Sequence, residues 1–148
     1  MSATGLDVFD RTLQTTHIWL DQIMEELDCD RQMAWHALGA VLRPLRDRLP
    51  IDLSAHLAAQ LPLLIRGLYF DQWHPAGTPD RQRHREDFVA RVAWGLSDIR
   101  PVDPQDTAAL VLKVLTHHVT AGQIAKVKDA LPVEIRDLFP RIRGQSAA

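Results

Sequence analysis

The chain is short of the parts from which most binding and catalytic devices are built. Its single cysteine, Cys29, in 148 residues excludes an intramolecular disulfide and removes the simplest sign of an oxidising compartment. The seven glycines are scattered, none closer than ten residues to the next, so no glycine-rich phosphate loop is present. Serine occurs only at positions 2, 54, 97 and 146, never in a G-x-S-x-G elbow, which argues against a serine hydrolase. No apolar run reaches the roughly 18 residues of a membrane-crossing helix. The opening MSATGLDVFDRTLQTTHIW lacks the basic-then-apolar order of a secretory signal. Charge of one sign is missing too: 17 Lys and Arg stand against 19 Asp and Glu. Residues 1–70 hold 6 basic and 9 acidic side chains and residues 71–148 hold 11 and 10, so no strong field recruits nucleic acid or an anionic membrane. These absences point to a soluble, cytoplasmic protein folded as a single domain over 1–148.

What is present is a repeat. LPLLIRGLYF at 61–70 returns as LPVEIRDLFP at 131–140. Shifting the chain by 70 lays Leu38, Val41, Leu42, Leu45 and Leu49 over Ala108, Val111, Leu112, Leu115 and Val119, one apolar helix face twice. Further along, Leu57, Leu61, Ile65 and Leu68 lie over Val127, Leu131, Ile135 and Leu138, with Pro62 over Pro132 and Arg66 over Arg136. Upstream the shift becomes 69, placing Trp19, Ile23 and Leu27 over Phe88, Val92 and Leu96, as a one-residue loop insertion would. The pattern predicts an all-α fold in which duplicated four-helix units, about 7–70 and 85–140, pack as one helical bundle of about eight helices, with a connector over 71–84. Helices are expected near 7–28, 31–48, 52–60, 62–70, 85–97, 104–119, 121–130 and 132–139. Asp103-Pro104 reads as an N-cap followed by proline at the first helical position, and Pro62 and Pro132 are expected to open helices in the same way. Pro44 falls inside the second helix and should kink it or end it early. A unit with one apolar stripe per helix cannot bury them all alone, whereas two stacked units can share a core.

Departures from the repeat single out candidate functional residues. Trp73 in the connector, and Thr15, Thr16, Trp35, His36 and the run Arg46-Asp47-Arg48 in the first unit, have no like residue in the second. Arg66 precedes Tyr69, Phe70 and Trp73, whereas Arg136 precedes only Phe139 and the tail. Arg66 is therefore the one of the pair expected to serve binding.

Known chemistries are not spelled out. His117 and His118 are neighbours on one helix, too far apart in angle to chelate together, and no H-E-x-x-H occurs. The best one-helix metal set, His17, Asp21 and Glu25, lacks ligands from a second helix, and no metal or cofactor is expected. Cys29, flanked by Asp28 and Asp30, should have a raised pKa, which suits no nucleophile. The basic run Arg81, Arg83, His84, Arg85 and Arg91 is interrupted by Glu86 and Asp87, with no aromatic ladder for nucleic acid.

The stretches LQTTHIWLDQI, WHALGAVLRPLRDRLP, AAQLPLLIRGLYFDQWHP and RQRHREDFVARV together resemble the bacterial family known as domain of unknown function 2267, over about residues 9–140. The resemblance implies a small, all-helical, internally duplicated cytoplasmic protein and brings no activity, substrate or cofactor. Gln72 stands where the family pattern has glycine, which would disfavour a tight turn there. Two functions of different class follow from the residues. The first is a non-enzymatic module that binds a protein partner or a second copy of itself through the surface around Arg46, Arg48, Tyr69 and Trp73. The second is a small-ligand or anion binder, or an enzyme, with Arg46, Arg48, Arg66 and His36 in a pocket between the units. A missing acid, base and nucleophile set favours the first.

Overall fold

A computed structural model describes residues 2–98 and 100–141. Eight α-helices follow in order: α1 Asp7–Leu27, α2 Arg31–Asp47, α3 Ile51–Ala59, α4 Leu63–Phe70, α5 Arg85–Gly95, α6 Pro104–His118, α7 Ala121–Ala130 and α8 Val133–Arg136. A single 3-10 turn, Pro75–Gly77, lies in the connector, and there is no strand among the described residues. The fold is all-α. No described helix is long and apolar enough to cross a membrane.

The helix boundaries have local causes. Asp30 caps α2, its side chain accepting from the Met33 N–H, and Asp103 caps α6 by accepting from the Asp106 N–H, with Pro104 at the first helical position. Pro62 and Pro132 differ from expectation: both sit at the N-cap, with ψ of 151° and 149°, and the helices begin one residue later. Their carbonyls nevertheless accept the first helical bonds, from Arg66 at 2.8 Å and Arg136 at 2.9 Å. The last helix is shorter than the predicted 132–139. Beyond Asp137 the chain tightens into i to i−3 bonds, and Pro140 disfavours helical geometry at the residue before it. Pro44 does not end α2 early; the helix runs on to Asp47. Gln72 adopts φ 63° and the Trp73 N–H reaches the Phe70 carbonyl at 3.2 Å, so the tight turn forms without glycine. A left-handed L-residue costs roughly 1 kcal/mol, which the surrounding contacts absorb.

One contiguous cluster of buried residues runs through both halves, from Trp19 to Phe139. Leu42 and Leu112 at its centre are both fully buried. Residues 61–70 and 131–140 carry the same order of buried, half-buried and exposed positions, one for one. Most helix pairings recur when the halves are exchanged, although α4 packs on α2 and α3 more extensively than α8 does on α6 and α7. The first helix of each packs on the second helix of the other, α1 on α6 and α5 on α2, while α2 meets α6 and α3 meets α7. Two stacks mark this crossing: the Arg48 guanidinium lies 5.1 Å over the Phe88 ring, and His118 lies parallel to Trp19 at 4.6 Å. Positions 48 and 118 are seventy apart, 19 and 88 sixty-nine.

Small residues set how closely the helices cross. A Cβ on Gly95 of α5 would stand 2.9 Å from the Ala40 Cβ, and one on Gly39 would stand 2.9 Å from the Leu68 Cδ1. The middle of α2 is therefore held close to both α4 and α5. Just beyond it, the connector must cross over α2 to reach α5.

Candidate functional site

Where the connector crosses, it leaves a cleft of about 510 Å³ walled by α2, the connector and the end of α5. Its lining joins the small apolar Gly39, Ala40 and Pro44 to the polar Arg43, Arg46, Asp47, His74, Asp80, Arg81 and Arg91 and to Trp94. Four arginines against two carboxylates make the lining cationic. The volume lies in the range of small-molecule sites.

The arginines are not alike. Arg46, on the last turn of α2, is buried and fully committed. Its Nη1 donates to the carbonyls of Tyr69 at 2.8 Å and Asp71 at 2.7 Å, and its Nε donates to Asp47 Oδ1 at 2.9 Å. It ties the start of the connector to α2. Arg43 pairs with Asp71 at 3.0 Å. Arg81 and Arg91 are exposed and form no ion pair among the described residues. The Arg91 guanidinium lies 5.4 Å over the Trp94 indole, and Trp94 is 70% exposed. Such exposure is unusual for tryptophan.

The residues singled out from sequence divide. Arg46 lines the cleft. Arg48 lies behind it, buried, donating to the Pro44 carbonyl at 3.1 Å. Burial lowers its pKa from the ordinary guanidinium value, opposed by Asp80 and Asp47. Tyr69 is fully buried rather than on a surface. Its hydroxyl donates to Ser54 Oγ at 3.0 Å, which donates to the Arg46 carbonyl at 3.2 Å, and burial pushes its pKa up to about 12. Trp73 is half-buried, its ring tilted 32° against Phe70 at 5.1 Å with its indole N–H unpartnered. His36 is exposed on α2, with Nε2 2.7 Å from the Gly95 carbonyl. Arg66 is far from the cleft: its Nε donates to the Ala58 carbonyl at 2.9 Å and its Nη2 to Leu61 at 3.1 Å. Arg136 repeats this on Lys128 at 3.0 Å and Leu131 at 3.1 Å. The structure therefore brings together Arg46, and behind it Arg48 and Tyr69, but not Arg66 or His36.

Arg91, Trp94 and Gly95 were the residues sequence reasoning missed as a site. The signal was present: in the 69-residue shift they lie over Gln22, Glu25 and Glu26, so an arginine, a tryptophan and a glycine replace one amide and two carboxylates. His84, Glu86 and Glu134 also converge, with one ligand atom from each lying within 4.8 Å of the others, on the exposed surface. No spacing announces this set, because Glu134 comes from the far half. The backbone N–H of Arg85 holds the Glu134 carboxyl below its usual pKa. His17, Asp21 and Glu25 are all exposed, and Asp21 faces Arg31 at 3.7 Å. For Cys29, burial is the first cause that pushes the thiol up; Asp30 and Asp28 add to it and Arg100 opposes.

An all-helical domain with a cationic, aromatic-edged cleft is thus the class of protein defined. Residues 16–138 match the family described as uncharacterised conserved protein, DUF2267, and the chain belongs to that family. A comparison with curated proteins found no match.

Proposed function

We propose that the protein is a non-enzymatic binding module built from two copies of one helical unit, and that the cleft between α2, the connector and α5 holds a small anionic ligand. The supporting observation is the pair Arg91 and Trp94: an unpaired cation stacked on an exposed indole at the mouth of a 510 Å³ cleft. Arginine forks bind carboxylate or phosphate in a bidentate manner, and the indole gives a flat apolar wall. A binding role rather than a catalytic one is favoured because the one hydroxyl of the lining, on Thr78, donates to the Pro75 carbonyl at 2.7 Å and not to a histidine or carboxylate.

Fluorescence titration with 8-anilinonaphthalene-1-sulfonate, an aromatic anion, tests the reading. Arg91→Gln, which installs the residue found at the equivalent place in the first half, should weaken binding about tenfold or more, as loss of a charge-assisted contact does. Lys113→Ala, on the opposite side of the molecule, should leave it unchanged. Equal effects of the two would remove the cleft as the site.

Association with a protein partner or a second copy is a second reading, favoured by a different face. Val8 and Phe9 on α1 and Leu63 and Leu64 on α4 are each at least 42% exposed, and the Leu64 N–H donates to Thr12 of α1 at 3.2 Å, which brings the two helices together there.

A further inference from the structure

The cleft contains a carboxylate that is poorly placed for its own cation. Asp80 lies on the lining with its side chain one-third exposed, and its Oδ2 stands 3.7 Å from Arg48 Nη2, beyond hydrogen-bond reach. The Arg48 side chain is 1% exposed, and both its Nε and its Nη2 lack a hydrogen-bond partner. A buried guanidinium with unspent donors is short of an anion. Asp80 does not close the gap because the loop holds it. Its N–H donates to the Asp47 carbonyl at 2.6 Å, and its Oδ1 accepts from the Gln82 N–H at 3.0 Å.

The lining also discriminates between kinds of anion. The backbone N–H groups of Gly77 and Thr78, which a phosphate cradle would need, are spent on the carbonyls of His74 at 3.1 Å and Pro75 at 3.0 Å. A phosphate dianion would in addition face both Asp47 and Asp80. A monoanion meets less of that repulsion, and a carboxylate matches the arginine fork. The apolar part of the lining, Ala40, Pro44, Pro79 and Trp94, suits a flat ring.

We propose that the occupant of the cleft is an aromatic monocarboxylate, and that Asp80, a carboxylate of the lining whose own cation lies buried behind the cleft, opposes it by like charge and so sets its affinity. The proposal rests on the cleft being a binding site. Removing the Asp80 charge removes a like charge from the path of the ligand carboxylate. A charge a few ångströms away in a half-exposed site changes affinity by about fivefold or more.

Isothermal titration of the full chain with 1-naphthoate, its neutral amide 1-naphthamide, and inorganic phosphate tests this. Wild type should bind naphthoate, bind the amide at least about tenfold more weakly because a charge-assisted bond to arginine outweighs a neutral one, and bind phosphate more weakly still because it lacks the ring and as a dianion faces both Asp47 and Asp80. Asp80→Asn should tighten naphthoate about fivefold and leave the amide unchanged. Asp80→Ser repeats the measurement with a smaller side chain, so that a loop disturbed by Asn cannot mask the result. If naphthoate binds and Arg91→Gln weakens it while both Asp80 variants bind as wild type does, the opposing role of Asp80 falls and the cleft stands. Phosphate binding more tightly than naphthoate overturns the ligand class. If naphthoate and phosphate bind none of the proteins, the cleft and the role of Asp80 fall together.

Discussion

Two depressions occupy matching places in the two halves and differ in almost every side chain. The first lies between α2 and α5, the second between α6 and α1, where Gln22, Glu25, Glu26, Lys113, Val114, Thr116 and His117 line about 330 Å³. Position by position, Lys113 stands for Arg43, Thr116 for Arg46, Gln22 for Arg91, Glu25 for Trp94 and Glu26 for Gly95. The second depression is closed by its own charges, with Lys113 Nζ 2.8 Å from Glu26 Oε1. In the first, Gly95 has no side chain to do this, Arg91 and Trp94 face outward, and the connector supplies a third wall. The same difference runs inward. Arg46, Ser54 and Tyr69 form a buried polar chain where Thr116, Ile124 and Phe139 offer no such chain. One helical framework thus carries a self-neutralised region and a region with unspent cations. Polarity inside a core costs stability unless every group is paired, and in this polar chain each donor has a carbonyl, carboxylate or hydroxyl partner.

If the halves share a framework and differ only in what they carry, matched core changes should cost alike. Leu42→Ala and Leu112→Ala, both fully buried, should each lose roughly 2 to 5 kcal/mol in chemical denaturation. A loss under about 1 kcal/mol at one site and a full loss at the other would break the equivalence.

A smaller effect sharpens it. Arg66→Ala and Arg136→Ala each remove the bonds to two equivalent carbonyls around the end of the preceding helix, Arg66 losing in addition a long one to Ala59 at 3.4 Å, and each should cost about 1 kcal/mol, seen as similar shifts in thermal melts. Because the contacts match, Arg66 has the same structural duty as Arg136. Loss of naphthoate binding on changing Arg66 alone would return it to the candidate site.

The smallest expected effect separates the two stacks. Arg48 on Phe88 stays charged through the accessible pH range, whereas His118 on Trp19 titrates. Burial first, and His117 second, lower the pKa of His118 below the ordinary imidazole value. The folded state therefore binds fewer protons than the unfolded chain in the window from about 6.5 down to the lowered value. Stability should be fully present above that window and decline as pH falls through it. His118→Gln should flatten this part of the profile of melting temperature against pH, while no change at Arg48 should do so.

Most of the framework was legible in the sequence because it is written in short-range terms. The i, i+3, i+4 stripes placed every helix, Asp103-Pro104 fixed the start of α6, and the 70-residue echo aligned Arg66 with Arg136 before their equivalent carbonyl contacts were known. Local misjudgements came from backbone detail: Gln72 adopting the left-handed turn and Pro140 truncating the last helix. The site was far less legible. Arg46, Arg48 and Tyr69 were noticed as departures from the repeat, yet sequence cannot say that all three are buried and that Arg66 serves a helix end. Arg91 reads only as a member of the interrupted basic run, and nothing in the sequence sets Trp94 beside it at a cleft until α5 is laid across α2.

What the sequence determined by itself is the all-α class, the helix order, the shared apolar stripe and the membership that its motifs carry, since each depends on residues a few positions apart along one helix. Only the tertiary structure decided which arginines are spent and which are free, because that depends on partners dozens of residues distant: Asp71 for Arg43, the Tyr69 and Asp71 carbonyls for Arg46, and Asp80 for Arg48. The crossing of α5 over α2, permitted by a glycine where a Cβ would stand 2.9 Å from Ala40, is what turns scattered charges into a cleft.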